Sequence, residues 1–320
     1  MNVLSLFDGL SCGMIALERA GIPVSNYFAS EIDKYAIKVS EKNYPNIIRL
    51  GDVTKVTYKD GVLKSENGEW NIGKIDLLLA GSPCQGFSLA GKQLAFNDER
   101  SKLYFEFERV LKEVNPSYFL LENVKMKQEY KDIISERVGV KPIAINSNLV
   151  SAQNRYRLYW TNIPNIQQPE DLEILLENIL EENVEDKYYI KSGRLNWLKT
   201  FGEVKEEKGY IAFNPTKAKC LTARREPSWN TTYILQWPHG TNKGGYRGLD
   251  GKTPTLTTSS WESNNYLLHN GLVRKLTPTE CERLQTVPDG YTNCVADSHR
   301  YKMLGNGWTV DVIAHILREM

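Results

Sequence analysis

A chain of 320 residues with 41% hydrophobic and 25% charged side chains is long enough to bury a large core and to divide into two lobes. No apolar run approaches membrane-spanning length, and a net charge of +1 gives the molecule as a whole no electrostatic label for nucleic acid. The five cysteines are odd in number and lack C-x-x-C spacing, which argues against a disulfide framework and a zinc site; the four histidines are scattered, so no metal is expected. No charged leader opens the chain, and a reducing, cytoplasmic setting fits these features. Charge is segregated along the sequence. Residues 163–186 hold eight Asp/Glu and no Lys/Arg, whereas residues 187–272 hold thirteen Lys/Arg against six Asp/Glu, a local balance of +7. Such a basic lobe suits a polyanion-facing surface, and a solvated charged surface is the plainer alternative.

In chain order, residues 3–7 read as a first strand, followed by a glycine-containing turn and a helix through Glu18 and Arg19 that Gly21 ends. Residues 27–31 form a second strand and 35–42 a helix. Strands continue at 47–50, 75–80 and 118–121, with a helix over 102–114 stopped before Pro116. Residues 143–146 and 158–161 are later strands. Strand and helix alternating at this spacing predict an α/β fold, a mostly parallel, doubly wound sheet covered on both faces. The pattern then changes. Residues 172–180 read as an acidic amphipathic helix, and residues 191–270 as loops and small strands of a smaller, irregular domain. Order returns at Thr277-Pro278-Thr279-Glu280, a capping box with proline at the first helical position, which predicts a helix through Leu284. Finally, residues 308–318 carry Val312, Ile313, Ile316 and Leu317 at helical spacing.

The strand at 75–80 delivers Gly81-Ser82-Pro83-Cys84-Gln85 to its carboxyl end, where open α/β sheets place their chemistry. Pro83 fixes φ and removes a donor, which helps hold the next residue in one orientation. Alone, the pair is weak evidence, because free cysteines commonly fill cores as small hydrophobes. Its company is more informative: Glu122-Asn123-Val124 follows another apolar run, and Gln153-Asn154-Arg155-Tyr156-Arg157 follows that. Phe7-Asp8-Gly9-Leu10-Ser11-Cys12-Gly13 sits between a strand and a helix, where glycines permit close backbone approach to a ligand; without G-x-G-x-x-G spacing it reads equally as an ordinary turn. Glu31 ends the second strand, and Asp52 follows the third in Gly51-Asp52-Val53. Either acid alone could as well be a surface or capping carboxylate. Arg155 and Arg157, two apart on a strand, share one face, as an exposed ion-pair ladder would also require.

The order of these segments resembles the DNA (cytosine-5)-methyltransferase family of prokaryotic or phage type, over residues 3–160 and 272–318. The Phe-Asp-Gly form at residues 7–9, where relatives often have Phe-Ala-Gly, is similar to the vertebrate de novo enzymes. The resemblance implies a catalytic and cofactor-binding domain over 1–164, an inserted target-recognition domain over 165–271, and a segment, 272–320, that completes the first domain. It implies S-adenosyl-L-methionine as cofactor, held by the Phe7–Gly13 loop, by Glu31 at the ribose, by Asp52 at the adenine amino group, and by Ile32 and Val53. Phe7 would lie against the adenine, with Pro83 and Leu103 closing the pocket and Asn306, Gly307 and Trp308 at its methionine end. Cys84 is then the nucleophile that adds to carbon 6 of cytosine, and Glu122 the acid at the ring's N3 edge. Arg157 takes the base's carbonyl oxygen, and Arg155 supports the site. The substrate implied is double-stranded DNA with the target base flipped out, and a restriction endonuclease acting on the same site is an expected partner. Residues 85–102 resemble the family's mobile loop, with Gln85 and Ser88 facing DNA and Ser101 where a hinge glycine is common. Arg224, Arg225, Lys243 and Arg247 offer phosphate contacts and groove donors in the insertion. The rival readings are the same chemistry on tRNA, a catalytically silent relative that only binds DNA, and a small-molecule methyltransferase, which would not need so large an insertion.

Overall fold

The computed structural model describes residues 1–82, 102–189, 233–236, 245–247, 252–253, 255–256, 258, 266–269 and 272–320. Pro83, Cys84, Gln85, Ser88 and the rest of the expected mobile loop up to Ser101 lie outside the described residues, as do Arg224, Arg225 and Lys243.

The first lobe is built on seven strands: β1 (Asn2–Leu6), β2 (Asn26–Ser30), β3 (Ile48–Arg49), β7 (Leu77–Ala80), β8 (Tyr118–Val124), β9 (Ile143–Asn146) and β10 (Tyr156–Thr161). They lie side by side in the order β3-β2-β1-β7-β8-β10-β9. All neighbouring pairs are parallel except those made by β10, which runs antiparallel to β8 and β9. The mostly parallel sheet is thus as the alternation of strand and helix predicts.

Both faces are buried because both sets of side chains are apolar. Val3, Leu77, Leu79, Leu120 and Tyr159 enter one core, shared with helices α1 (Cys12–Arg19), α2 (Lys34–Asn43) and the last helix, α7 (Val310–Leu317). Leu4, Leu6, Leu78, Ala80, Leu121 and Trp160 enter the other, covered by α3 (Lys102–Val114) and α4 (Gln128–Val138). Each such side chain taken fully from water contributes roughly 1.5–3 kcal/mol, so two filled faces dominate the stability of the lobe. The C-terminal helix packs on α1, pinned by the Arg19–Asp311 ion pair at 2.7 Å. It starts at Val310 rather than at Trp308, because Gly305 and Asn306 belong to a preceding helix, α6 (Asp297–Asn306).

Helix α5 (Pro278–Leu284) has the expected reciprocal cap: Thr277 Oγ1 accepts the Glu280 N–H at 3.1 Å and Glu280 Oε2 accepts the Thr277 N–H at 2.8 Å. By contrast, residues 172–180 do not form the predicted amphipathic helix. Only a 3-10 turn, Leu176–Ile179, is present. The backbone here is engaged elsewhere: Leu172 N–H donates to Leu149 O, Ile174 O accepts from Lys252 Nζ, and Glu181 N–H donates to Glu280 Oε1. Glu173, at φ 54°, and Leu175, at ψ 164°, lie outside the right-handed helical region, so the turn does not extend upstream.

Two further sheets complete the described residues. A meander of β4 (Thr57–Lys59), β5 (Val62–Ser65) and β6 (Gly68–Asn71) follows β3. Strands β11 (Tyr233–Gln236), β12 (Gly245–Arg247) and β13 (Tyr266–His269) of the expected insertion form an antiparallel sheet with β14 (Leu272–Lys275), which follows it, in the order β12-β11-β13-β14. Among the described residues no helix is long and apolar enough to cross a membrane.

Candidate active site

Strand register alone gathers the candidate residues. Leu6 pairs with Ser30 of β2 and with Ala80 of β7, and Ala80 pairs with Leu121 of β8. The next residue of each parallel strand is therefore level with the others at the carboxyl edge. Those residues are Phe7, Glu31, Gly81 and Glu122. The chain leaves β1 towards β2 and β3 on one side, whereas β7 leads to β8 on the other, so the sheet's switch point lies between β1 and β7. A crevice at that position is where such sheets bind ligands.

On the β1 side, Phe7 (φ 57°), Gly9 (φ 59°) and Ser11 (φ 64°) all adopt left-handed conformations, a cost for Phe7 and Ser11 that surrounding contacts must offset. Asp8 supplies several of those contacts from inside. Its carboxylate accepts from Ser11 Oγ at 2.5 Å and Tyr27 OH at 2.7 Å, with Arg49 4.0 Å away; Ser11 also bonds Ser40. Burial raises the Asp8 pKa against the effect of these partners. The side chains of Asp8, Leu10, Ser11 and Cys12 all face the interior, so what this loop turns to the crevice is backbone and Phe7. Gly13 permits the close packing of α1 on the sheet: a Cβ there would come within 2.7 Å of both Leu79 Cδ1 and Tyr27 OH.

Glu31 is held by three backbone donors, Gly9 N–H to Oε2 at 2.7 Å and Ile32 and Asp33 N–H to Oε1, each at 2.8 Å. A carboxylate has about four acceptor positions, so it can still receive a hydroxyl. Beside it, Ile32 is 75% exposed, an apolar surface left open among the described residues. Asp52 caps the turn Val53–Lys55 through Thr54 N–H, and its own N–H donates to Glu66 at the tip of the β5–β6 hairpin. An exposed apolar residue next to a fixed carboxylate, with a second acid one strand away, fits an adenosine: ring face on Ile32, ribose hydroxyls on Glu31 and amino group on Asp52. Leu103 opens α3 and is half-buried.

On the β7 side, Asn123 Nδ2 donates to Ser82 Oγ at 3.4 Å, tying the chain that leads to Cys84 against the end of β8. Glu122 and Arg157 meet across the β8–β10 pair, Nε to Oε1 at 2.8 Å, with side chains only 11% and 13% exposed. Arg157 Nη1 donates to Tyr156 O, and among the described residues Nη2 makes no hydrogen bond. Arg155 precedes β10 and is 4% exposed. It does not join a surface ladder. Its guanidinium donates to Leu256 O, Gly305 O and Gly307 O, at 3.1, 3.2 and 2.8 Å. Burial and then the Arg157 charge lower its pKa to about 9, with the Glu122 charge acting the other way.

Asn306 and Gly307 end α6 and lead to Trp308, whose indole lies over both sides of the switch point. A Cβ on Gly81 would be 2.7 Å from its Nε1, and one on Gly13 would be 3.7 Å from its Cζ3. The ring is 9% exposed. Arg247 lies on β12 in the insertion.

The C-5 cytosine-specific DNA methylase family matches the whole chain, residues 1–320. The chain belongs to this family. It is 30% identical over 344 residues to the Type II methyltransferase M1.ScrFI of Lactococcus lactis subsp. cremoris, covering 100% of this chain and 77% of that protein. It is 28% identical to the Type II methyltransferase M.NlaX of Neisseria lactamica, covering 100% of this chain and 96% of the relative. Among solved structures, the Entamoeba histolytica methyltransferase EhMeth superposes with a TM-score of 0.68 at 18% identity, covering 100% of this chain and 97% of that one, which supports the fold. This methylase therefore modifies carbon 5 of cytosine in DNA, with S-adenosyl-L-methionine as methyl donor.

Sequence reasoning gave no role to three buried polar residues of the methylase: Gln153, Gln285 and Thr309, respectively 0%, 0% and 2% exposed. Gln153 stands in the Gln-Asn-Arg-Tyr-Arg segment, but nothing in Leu284-Gln285-Thr286 or at Thr309 marks a buried network.

Proposed function

We propose that this methylase acts at specific duplex sites through a flipped cytosine, with Cys84 as nucleophile and Glu122 and Arg157 holding the base. What supports the reading is the Glu122–Arg157 pair, nearly closed to solvent, at the carboxyl edge beside the Ser82 that leads to Cys84. Carbon 5 of cytosine is a poor nucleophile. Addition of the Cys84 thiolate to carbon 6 breaks the 5,6 double bond and makes carbon 5 enamine-like, while Glu122 holds or donates a proton at N3. Arg157, already fixed by Glu122, turns donors to the carbonyl oxygen, and Arg155 holds the strand's start in place. After the methyl group is in place, the carbon 5 proton leaves to solvent, the thiolate is expelled and the double bond re-forms. Bound S-adenosyl-L-methionine supplies the electrophilic methyl group. The Phe7–Gly13 loop, Glu31, Ile32, Asp52 and Val53 would hold it, with Pro83, Leu103, Asn306, Gly307 and Trp308 closing the pocket.

A base inside a duplex cannot be attacked from above its plane, so flipping costs a few kcal/mol in pairing and stacking. Contacts from the insertion and from Gln85 and Ser88 offset this cost. Residues 165–271 then read the sequence, sharing the β11–β14 sheet with the strand that returns to the first lobe. This setting is the cytoplasm of a bacterial or phage-infected cell, alongside a restriction endonuclease acting on the same site. Bisulfite sequencing of DNA from cells expressing the chain tests activity and site together: protected cytosines in one sequence context are expected, and uniform conversion would refute the reading.

Replacing Arg224 and Arg225 with Ala should weaken duplex binding or relax recognition without altering cofactor affinity, as measured by titration. Lost cofactor binding with unchanged DNA affinity would contradict this division of labour. Trp308→Ala should bind S-adenosyl-L-methionine more weakly while remaining folded by circular dichroism. Because burial of an indole is worth a few kcal/mol wherever it sits, stability cannot decide its role. Wild-type cofactor affinity in the folded variant would leave the ring a packing role only.

A further inference from the structure

The end of the insertion is stitched to the first lobe by backbone bonds and by several side chains, two of which, Gln153 and Arg155, reach further. Thr253 N–H donates to Ala152 O and Asn154 N–H to Thr253 O, both at 2.7 Å, forming a short parallel bridge. Gln153 Oε1 accepts the Leu256 N–H at 2.7 Å, and Arg155 donates to Leu256 O. Lys252, 7% exposed, is also buried here and donates to Asn148 O and Ile174 O.

The same two side chains reach the loop before Trp308. Gln153 Nε2 donates to Gln285 Oε1 at 3.2 Å and to Leu284 O at 3.1 Å. Gln285 Nε2 in turn donates to Leu304 O at 2.6 Å and Gly307 O at 3.3 Å, while its Oε1 also accepts from Thr309 Oγ1 at 2.9 Å. Arg155 donates to Gly305 O and Gly307 O. A continuous line of buried hydrogen bonds thus runs from Leu256 through Gln153 and Gln285 to residues 304–309. Apolar side chains would fill this space without fixing its geometry. A buried amide network is stable only when all its partners are in place, so displacement at one end leaves groups unsatisfied along it.

We propose that Gln285 is a positioning residue that couples docking of the insertion to the shape of the Gly305–Trp308 loop, so that duplex DNA and cofactor strengthen each other's binding. This rests on the reading of the insertion as the DNA-binding lobe and of Trp308 as a wall of the cofactor pocket. DNA that fixes the insertion over segment 252–256 holds Gln153 Oε1 and Arg155 in their bonded positions. Gln285 then presents its amide to the Leu304 and Gly307 carbonyls. The linkage is reciprocal, so cofactor must raise DNA affinity by the same factor.

The test measures S-adenosylhomocysteine binding to the full chain, with and without a duplex carrying the site found by bisulfite sequencing. Wild type should bind it at least about 5-fold more tightly when DNA is present, the lower end of ordinary coupling. Gln285→Glu keeps an acceptor for Gln153 and Thr309 but cannot donate to the two carbonyls, and its ratio should fall towards one. Thr309→Val, the milder variant, decides the matter if Gln285→Glu does not fold; it should reduce the ratio, and Thr309→Ser should restore it. A wild-type ratio of one, or an unchanged ratio in the folded variants, would overturn the proposal. The underlying reading fails separately: Trp308→Ala with wild-type affinity for S-adenosylhomocysteine removes the cofactor wall, whatever DNA does to the ratio.

Discussion

DNA carrying 5-fluorocytosine at the target should become covalently attached to the wild-type protein when S-adenosyl-L-methionine is present, and Cys84→Ala should form no adduct at all. Fluorine at carbon 5 cannot leave as the proton does, so the sulfur–carbon 6 bond made by the nucleophile is never broken. The expected contrast is all or nothing, which makes it the largest effect predicted for any single residue here. Two of the other cysteines, Cys12 and Cys281, are poor substitutes. The thiolate is the reactive form, and burial pushes the Cys12 thiol up to about 12 and raises that of Cys281 far above its ordinary value. Gel-stable complexes counted after denaturation provide the measurement. Undiminished crosslinking by Cys84→Ala would place the nucleophile elsewhere.

The core of the fold was legible because its strands are short apolar runs and its helix ends carry chemical marks. Helix α3 spans Lys102–Val114 as predicted, since Pro116 forbids continuation, and the Thr277–Glu280 box sets the start of α5. Strand ends moved more. Strand β8 continues to Val124, so Glu122 sits within it, where cross-strand pairing brings it to Arg157. The meander over Thr57–Asn71 was overlooked although its signal is local. Asp60 and Gly61, with φ of 51° and 81°, form the two-residue turn that Asp-Gly favours between strands; the second turn, Glu66-Asn67, lies directly before Gly68 of β6. Helix α6 has few apolar positions beyond Tyr301, Met303 and Leu304, so periodicity could not reveal it.

Within the site, a similar division holds. Candidates that follow strands, such as Glu31 and Gly81, could be placed from sequence because parallel register fixes where a strand's next residue goes. Side-chain direction could not. Asp8 looks like part of an exposed loop, yet Tyr27, Ser11 and Arg49 draw its carboxylate inward. Arg155 and Arg157, two apart, were expected to share one face, with a surface ladder as the plainer alternative; the partners of Arg155 could not be foreseen, being carbonyls 101 to 152 residues away in sequence. Contacts of that separation leave no trace in a local pattern. The helix expected over 172–180 is absent because Glu173, at φ 54°, and Leu175, at ψ 164°, leave the right-handed region, while the backbone around them bonds Leu149, Lys252 and Glu280.

Glu122→Gln should bind cofactor and duplex nearly as wild type does while slowing methyl transfer by ~10² to 10⁴, the usual worth of a positioned acid. That range corresponds to about 3–5 kcal/mol of transition-state stabilisation. The amide keeps the size of the carboxyl group, and its oxygen can still accept from Arg157 Nε in place of the 2.8 Å ion pair. The partner therefore need not be stranded without an acceptor, an outcome that itself costs stability in a largely buried pair. What the amide cannot do is give a carboxyl proton to N3 as sulfur adds to carbon 6. Single-turnover measurement with enzyme in excess isolates that step from product release. A parallel Arg157→Lys variant separates chemistry from positioning, since lysine keeps the charge but not the planar fork that can hold Glu122 and the base's carbonyl oxygen together. It should weaken binding of the flipped base as well as the rate. An unchanged single-turnover rate in Glu122→Gln would remove the acid assignment even if Cys84 proves to be the nucleophile.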